Sequence, residues 1–263
     1  MSRGPASTPS GPGGRPAAAR DLVDYGERYR ELPFEPLQAA YRRRRVLARI
    51  AVHRPGRLLE VGCAREPLFL DLPGQETVVV EPTAVFADDA RRLARARPEV
   101  TVVEALLEEA PAQALGEPFD MVVVSGLLHE VPDPQRLLQA VRRTCRPGGV
   151  VHVNVPSAGS LHRLLAVAMG LIADPAAESE TQRLLQQRHV YDAAGLDREL
   201  AAAGFRVRER GSILVKPFTH AQMQRLVDDG FLDRALLDGL DRLAEHMPDL
   251  GSEIWVDAEP AGG

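Results

Sequence analysis

Lysine is almost missing from this 263-residue sequence, since Lys216 is the only lysine among 32 basic residues. The formal net charge is -5, so the chain carries no excess of positive charge. Because nucleic acids are bound largely through positively charged surfaces, we do not expect a nucleic-acid partner. A single lysine in a chain so rich in arginine suggests that position 216 requires an ammonium group.

Cysteines and long apolar runs are also scarce. The only cysteines, Cys63 and Cys145, are too few and too far apart in sequence to indicate a disulfide framework or a thiolate metal site. The longest apolar run, residues 164–173, is too short to cross a bilayer. We therefore expect a cytoplasmic protein with no bound metal and no membrane partner.

The two ends of the chain have few features of a folded domain. Residues 1–19 are rich in proline, glycine, serine and alanine, and they lack the apolar core of a signal peptide. We predict a disordered tail there, although its lack of acidic residues also fits an organellar transit peptide. Residues 259–263 are predicted to be a second disordered tail, and residues 20–258 to form one domain.

Short apolar runs that alternate with helical patterns predict an α/β fold built on a parallel sheet. The predicted strands cover residues 58–61, 77–80, 100–103, 121–124, 150–155, 205–214 and 252–258. The predicted helices cover residues 35–53, 84–96, 106–114, 134–145 and 196–204, with a helical pair in 220–247. Residues 42–45 are predicted to be the solvated face of the first helix. Residues 157–190 are predicted to form a helical cap, with two or three helices in 160–187.

The first strand ends in an acidic residue and a glycine, at Glu60 and Gly62. Glycine lets the backbone approach a ligand closely, and a helix with free N–H groups at its first turn is expected next. The second strand ends at Glu81, 19 residues after Gly62. A carboxylate at that place can accept hydrogen bonds from both hydroxyls of an adenosine ribose. This spacing alone does not distinguish one adenosine-containing cofactor from another.

Two further motifs make the pattern specific. Residues 119–129 read Phe-Asp-Met-Val-Val-Val-Ser-Gly-Leu-Leu-His, and Arg-Pro-Gly-Gly at 146–149 precedes the fifth strand. With the glycine turn and Glu81, they resemble the class I S-adenosylmethionine-dependent methyltransferases, in particular bacterial small-molecule enzymes of saccharide and secondary-metabolite pathways. The resemblance covers about residues 25–258 and is motif-specific over 57–156. It implies a Rossmann-like fold with a seven-stranded, mostly parallel sheet, helices on both faces and S-adenosylmethionine as cofactor.

The resemblance also implies where each part of the cofactor binds. For the methionine portion it implies Tyr25, Arg28 and Tyr29 of the leading helix together with Glu60, Gly62 and Cys63 of the turn. For the ribose it implies Glu81, and for the adenine Leu106 and Leu107. For the sulfonium it implies Ser125 and Leu127.

The sequence departs from the family pattern at three positions. Ala64 and Glu66 replace glycines, and Leu106 replaces an acidic residue that commonly pairs with the adenine amine. A domain that binds the cofactor without turning it over therefore stays an alternative. A nicotinamide-dependent oxidoreductase is another, because it shares the sheet and the ribose carboxylate. Against it, Ser212 stands where a Tyr-x-x-x-Lys motif needs tyrosine, and the full Gly-x-Gly-x-x-Gly is absent.

Methyl transfer from a sulfonium is a direct displacement, so the protein mainly aligns the reactants. A hydroxyl acceptor with a high pKa also needs a base, and histidine is the usual one. His129, shortly after the fourth strand, is the predicted base. His152, within the fifth strand, is expected to be packed in the core.

The cap and the segment after the sixth strand are predicted to contact the acceptor. Lys216 and His220 place an ammonium and an imidazole close together, which suits a small-molecule acceptor with an anionic group. The predicted acceptor-binding residues are Asn154, His162, His189, Lys216 and His220. We expect an oxygen or nitrogen to be methylated, and we leave a homodimer open.

Overall fold

The structure is a computed structural model that describes residues 32–177 and 187–262 of the chain. Its strands are β1 (Arg57–Val61), β2 (Glu76–Val80), β3 (Val100–Val103), β4 (Phe119–Ser125), β5 (Cys145–Pro156), β6 (Phe205–Ile213) and β7 (Glu253–Pro260). Its α-helices are α1 (Glu35–His53), α2 (Ala84–Leu93), α3 (Ala112–Leu115), α4 (Pro134–Thr144), α5 (Leu161–Ala168), α6 (Ala193–Ala202), α7 (His220–Asp228) and α8 (Arg234–Arg242).

The seven strands form a sheet in the order β3-β2-β1-β4-β5-β7-β6. Strands β1 to β5 pair in parallel, and β7 runs antiparallel to both β5 and β6. This topology confirms the predicted seven-stranded, mostly parallel sheet. Because the ends of β1, β2, β4 and β5 lie at one edge, the residues that follow these strands are brought together there.

The two faces of the sheet are covered by different helices, as the alternation of side chains along a strand requires. On β1, Leu58 packs with Val46 and Ile50 of α1, whereas Leu59 belongs to the core that includes Leu137 of α4. Each fully buried side chain of this size contributes roughly 1.5–3 kcal/mol relative to an exposed one. The core therefore lies on both faces of the sheet.

Local signals set the start of the helix that precedes β5. The Asp133 side chain accepts a hydrogen bond from the Arg136 N–H at 3.0 Å, which caps the first turn of α4. Pro134 follows at the first helical position, where a missing N–H costs no hydrogen bond. The sequence pattern placed this helix correctly, but β5 begins at Cys145 itself rather than after the Pro-Gly-Gly turn.

The connection from β1 to β2 is not the helix that was expected after the glycine turn. Residues 62–75 contain only a 3-10 helix, Leu68–Asp71, with Pro67 before it and Pro73 shortly after it. Two prolines in so short a crossover leave no room for a longer helix, since proline does not fit a helix interior. The turn therefore does not lead into an α-helix N-terminus.

Two other predicted helical regions are shorter than expected. Residues 106–114 were predicted to be one helix, but they form the 3-10 helix Leu107–Glu109, and α3 begins after Pro111. In the cap, α5 is the only α-helix among the described residues of 157–190, and residues 178–186 of the predicted cap helices lie outside the described part.

The carboxyl end of the sheet extends further than predicted. Strand β7 continues to Pro260, and the Ala261 N–H donates to the Gly204 carbonyl at 2.8 Å. Glu259 and Pro260 therefore belong to the sheet and not to a disordered tail. None of the helices in the two described stretches is both long and apolar enough to cross a membrane.

Candidate active site

The glycine turn and Glu81 lie side by side at the edge where β1 and β2 end. The Gly62 N–H donates to the Val80 carbonyl at 2.8 Å, and Gly62 has φ 75°, a conformation that favours glycine. The Glu81 carboxylate accepts hydrogen bonds from the Ala64 N–H at 3.1 Å and the Thr83 N–H at 2.9 Å. Glu81 thus holds the turn in place, and each carboxylate oxygen keeps a second lone pair for another donor.

Glu60 is a second buried carboxylate at this edge. It accepts a hydrogen bond from the Leu68 N–H at 2.9 Å. Burial raises the pKa of Glu60 to about 8, and the neighbouring Glu81 charge acts in the same direction against the weaker opposing effects of the Leu68 N–H and Arg43. Burial thus favours the protonated form of Glu60, and a cationic group bound between Glu60 and Glu81 would interact with the Glu81 charge and favour ionisation of Glu60.

Leu127 shares this part of the site with Gly62. A Cβ atom at position 62 would lie 3.3 Å from the Leu127 Cδ2 atom, so a larger residue there would press on that side chain. Ser125 ends β4, two residues before Leu127, and is half-buried. Cys63 is buried, and burial raises the pKa of its thiol, so the thiol stays protonated.

The structure separates the two leucines after β3. Leu106 is 43% exposed, whereas Leu107 is buried in the main core. The Leu107 side chain packs in the protein interior, so the prediction that Leu106 and Leu107 contact adenine is met by an exposed side chain only at Leu106 and stays a prediction. Leu106 keeps an exposed side chain. Tyr25, Arg28 and Tyr29 lie outside the described residues.

A second polar region lies at the ends of β5 and β6. Lys216 is only 1% exposed, and it has no hydrogen bond or ion-pair partner among residues 32–177 and 187–262. Burial lowers the pKa of Lys216 to about 8, although the charges of Glu35 and Glu253 oppose the effect. A buried ammonium without a direct partner destabilises the fold. Lys216 is therefore a candidate to bind an anionic ligand.

Two of the predicted histidines accompany Lys216. Burial and the Lys216 charge lower the pKa of His162 to about 2 and that of His220 to about 4. Both imidazoles are therefore neutral at pH 7. The Nδ1 atom of His220 lies 3.1 Å from the Pro33 carbonyl, so that nitrogen carries the hydrogen and Nε2 is left as an acceptor.

The remaining histidines lie elsewhere. His189 contacts the segment after β4, with its Nε2 3.1 Å from the Val131 carbonyl, and not the pair around Lys216. His129 is 4% exposed, and its Nε2 lies 3.6 Å from a Glu130 carboxylate oxygen. His152 is fully buried with its Nδ1 2.7 Å from Asp257, as a packed histidine should be.

Sequence reasoning missed the most connected carboxylate of this region, Glu253 at the start of β7. Glu253 is fully buried and binds Arg42 of α1 at distances down to 2.6 Å. Residues 42–45 were predicted to face solvent, so Arg42 is a correction: its side chain turns inward because a buried carboxylate requires a cation. Gln38, one helical turn before Arg42, donates to the same carboxylate. Two polar residues one turn apart on the same face of α1 were the sequence signal for this inward contact.

The chain matches a protein-family model. A model described as a methyltransferase domain matches residues 34–210. The matched range begins just before α1 and ends within β6, so it contains the glycine turn, Glu81 and the segment that carries His129.

A curated relative matches a smaller part of the chain. A ubiquinone biosynthesis O-methyltransferase of Paracidovorax citrulli is 40% identical over 65 residues. The match covers 25% of this chain and 25% of that protein. The chain therefore matches about a quarter of the length of this relative.

Several solved structures share the fold. A methyltransferase from Thermotoga maritima, described as a possible histamine N-methyltransferase, has a TM-score of 0.55 at 17% identity and covers 91% of this chain and 96% of its own. The plantazolicin methyltransferase in complex with S-adenosylhomocysteine has a TM-score of 0.57 at 13% identity, with 91% and 89% covered. At these identities the likeness concerns the fold alone.

Proposed function

Because this chain belongs to the methyltransferase-domain family and is an S-adenosylmethionine-dependent methyltransferase, we propose that it methylates an oxygen or nitrogen of a small molecule with an anionic group. We infer that the acceptor is an intermediate of a saccharide or secondary-metabolite pathway. The anionic group is proposed because Lys216 is a buried ammonium with no direct partner in the described ranges. We also place the reaction in the cytoplasm, since Cys63 and Cys145 are free thiols.

The residues at the edge of β1 and β2 fit the cofactor chemically. Glu60 and Glu81 are buried acidic side chains whose oxygens have lone pairs available, which suits an α-amino group and ribose hydroxyls. Gly62 supplies a backbone turn free of a side chain. Leu127 lies against this turn, which supports its proposed contact with the sulfonium.

The mechanism follows from what these side chains can do. S-adenosylmethionine supplies an activated methyl group when bound. The enzyme's own contribution is to fix the acceptor atom in line with that group, and alignment can supply roughly 7–11 kcal/mol. Lys216 would hold the anionic group of the acceptor, and His129 would take the proton from its hydroxyl or amine. Neutral His162 and His220 add acceptor nitrogens without adding charge.

Mass spectrometry tests the proposed function directly. The protein is incubated with deuteriomethyl-labelled S-adenosylmethionine and a panel of neutral sugars, sugar phosphates, sugar acids, hydroxy acids and amino acids. We expect a labelled methyl group on oxygen or nitrogen of a member with a carboxylate or phosphate. Labelling only of uncharged members would contradict the anionic acceptor, and labelling on carbon would contradict the choice of atom.

Substituting Glu81 should weaken cofactor binding. We expect Glu81→Ala to lower the affinity for S-adenosylmethionine by about 1.5–3 kcal/mol, the scale of a charge-assisted hydrogen bond. That loss corresponds to roughly 10- to 150-fold in the dissociation constant, which calorimetry measures. Glu76→Ala is the matched control, because Glu76 begins the same strand at the opposite edge and pairs with Arg57 at the surface. Equal affinities for both variants would place the ribose elsewhere.

Acceptor binding should depend on the protonation of Lys216. The pKa of Lys216 is about 8, so the ammonium is lost as the pH rises through that value. We therefore expect the KM of an anionic acceptor to rise above pH 8, and Lys216→Met to raise KM by roughly 10- to 150-fold at pH 7. A KM that is flat across pH 7–9 in the parent protein would contradict this role.

The single lysine makes its pKa measurable. Because Lys216 is the only lysine, acetic anhydride modifies one side-chain amine, which peptide mass spectrometry separates from the chain terminus. We expect the labelling rate to follow a titration near pH 8, and a bound anionic acceptor to slow it.

A further inference from the structure

Glu253 is the centre of a buried hydrogen-bond network at the start of β7. Its carboxylate accepts hydrogen bonds from Arg42 Nε at 2.8 Å and Arg42 Nη2 at 2.6 Å. It also accepts from Gln38 Nε2 at 2.9 Å and from Asn154 Nδ2 at 3.0 Å. Burial opposes ionisation, but the Arg42 charge and the hydrogen bonds from Arg42 and Gln38 outweigh it and lower the pKa of Glu253, so the group is a carboxylate.

This carboxylate fixes the orientation of two amide side chains. A carboxylate can only accept hydrogen bonds, so Gln38 and Asn154 must each turn the NH2 end of the amide toward Glu253. Their carbonyl oxygens must therefore point elsewhere. The carboxylate therefore determines, for both Gln38 and Asn154, which end of the amide is the NH2 group and which is the oxygen.

Both amide oxygens are left without a donor. Gln38 is 5% exposed and Asn154 is fully buried, yet neither Gln38 Oε1 nor Asn154 Oδ1 accepts a hydrogen bond in the described part of the protein. Buried polar atoms almost always have a partner, and an unmet acceptor destabilises the fold. Two unpaired oxygens on amides that one carboxylate orients indicate a binding site for a hydrogen-bond donor of a ligand.

The location of Asn154 connects this place with the reaction. Asn154 lies near the carboxyl end of β5, directly opposite Ser125 at the end of β4. The Gly126 N–H donates to the Asn154 carbonyl at 3.1 Å. These are the strand ends at which the sulfonium is expected, and the electrostatic interaction between His129 and Glu253 brings the predicted base to the same network.

We propose that the Gln38 and Asn154 amide oxygens form a subsite that binds the O–H or N–H donor of the acceptor group that is methylated, and that holds this donor until its proton passes to His129. The proposal rests on the proposed function and deepens it. Glu253 is a positioning residue, because it acts on the acceptor only through the two amides that it orients. The subsite also favours release, since methylation replaces the only donor of a hydroxyl, or one N–H of an amine, by a methyl group that the oxygens cannot bind.

Four cyclohexane derivatives test the subsite without knowledge of the natural acceptor. Cyclohexanol and cyclohexylamine carry a donor, methoxycyclohexane carries the methylated oxygen with no donor, and cyclohexanecarboxylate probes Lys216. Dissociation constants are measured by saturation-transfer difference NMR, with and without S-adenosylhomocysteine. We expect cyclohexanol or cyclohexylamine to bind about tenfold more tightly than the ether, since one unpaired buried acceptor discriminates on this scale.

Two substitutions then separate the subsite from a structural role. Asn154→Leu removes one of the two oxygens but leaves the pair of Glu253 with Arg42, and it should reduce the preference for a donor over the ether. Glu253→Gln can donate to Asn154 and let that amide turn its NH2 end toward the ligand, so the preference should shift toward the ether. A merely structural role would weaken all four compounds alike. Gln75→Leu, at the opposite edge of the sheet, should change none of them.

The outcomes distinguish this proposal from the proposed function. No preference of the parent protein for either donor over the ether overturns the subsite, whether or not the cofactor product binds. An unchanged preference in Asn154→Leu, with folding verified by thermal melting, overturns it as well. If S-adenosylhomocysteine does not bind, or if the binding of cyclohexanecarboxylate does not depend on Lys216, the proposed function is contradicted. The preference for a donor over the ether still tests the subsite in that case.

Discussion

Replacing His129 by alanine is expected to lower kcat by about 10²–10⁴-fold, the usual contribution of a general base, while the dissociation constant for S-adenosylmethionine stays near the parent value. The expectation follows from where His129 lies. It is 4% exposed, 3.6 Å from the Glu130 carboxylate, and under the electrostatic influence of Glu253. A carboxylate nearby stabilises the imidazolium that forms when histidine takes a proton from the acceptor.

The measurement combines single-turnover kinetics with calorimetry on the same samples. His129→Gln serves as a second variant, because glutamine fills much of the space and keeps hydrogen bonding but cannot act as a base. His246→Ala is the matched control at an exposed histidine. If both His129 variants turn over normally, the histidine has no role as a base. If they lose cofactor affinity instead, its role lies in the cofactor site.

Most of the sheet could be predicted because apolar runs report burial directly. Each predicted strand overlaps an observed one, and α1 has the predicted bounds of 35 and 53. The adjacency of Gly62 and Glu81 was also predictable, since the carboxyl ends of neighbouring parallel strands must lie at one edge. That inference needed only the order of elements, not any side-chain contact.

The connection after the glycine turn shows how a local signal was overlooked. A glycine after a strand commonly precedes a helix, and that expectation was carried over to residues 62–75. Pro67 and Pro73 restrict this stretch, and a 3-10 helix is what remains. The prolines were visible in the sequence, so this error came from weighting the motif above backbone sterics.

The network of Glu253 could not be predicted in the same way. Arg42 and Glu253 are 211 residues apart in sequence, and each alone looks like a surface residue. Periodicity assigns charged side chains to the solvent because it counts apolar residues and ignores pairing. A charge can be buried when an opposite charge meets it, and only the tertiary structure shows which charges meet.

Asp257 forms a second buried network on β7, and its removal should be the most destabilising change that we predict. Asp257 is fully buried, and its carboxylate lies 2.7 Å from His152 Nδ1, 2.6 Å from His53 Nε2 and 2.8 Å from Arg49 Nε. Asp257→Ala would leave buried Arg49 without one of its carboxylates. We expect the free energy of unfolding, measured by urea denaturation, to fall by about 3–5 kcal/mol.

The matched control is an exposed carboxylate that also pairs with arginine. Asp88 is largely exposed and lies 2.8 Å from Arg91 on α2. Asp88→Ala should cost less than about 1 kcal/mol, because a surface ion pair contributes little. If the free energy of unfolding falls by a similar amount in the two variants, burial of the Asp257 ion pair does not increase its contribution to stability.

The pH dependence of stability offers an independent test of the same network. Burial alone would raise the pKa of Asp257, but hydrogen bonds and charges from His152, His53 and Arg49 outweigh it and lower the pKa to about 2. In the unfolded chain an aspartate has a pKa of about 3.9. The stabilisation is therefore complete above about pH 4 and is lost as the pH falls through 2, by roughly 2–3 kcal/mol. The difference in stability between the parent protein and Asp257→Ala should shrink over that interval, and a difference that stays constant down to pH 2 would show that the carboxylate charge does not carry it.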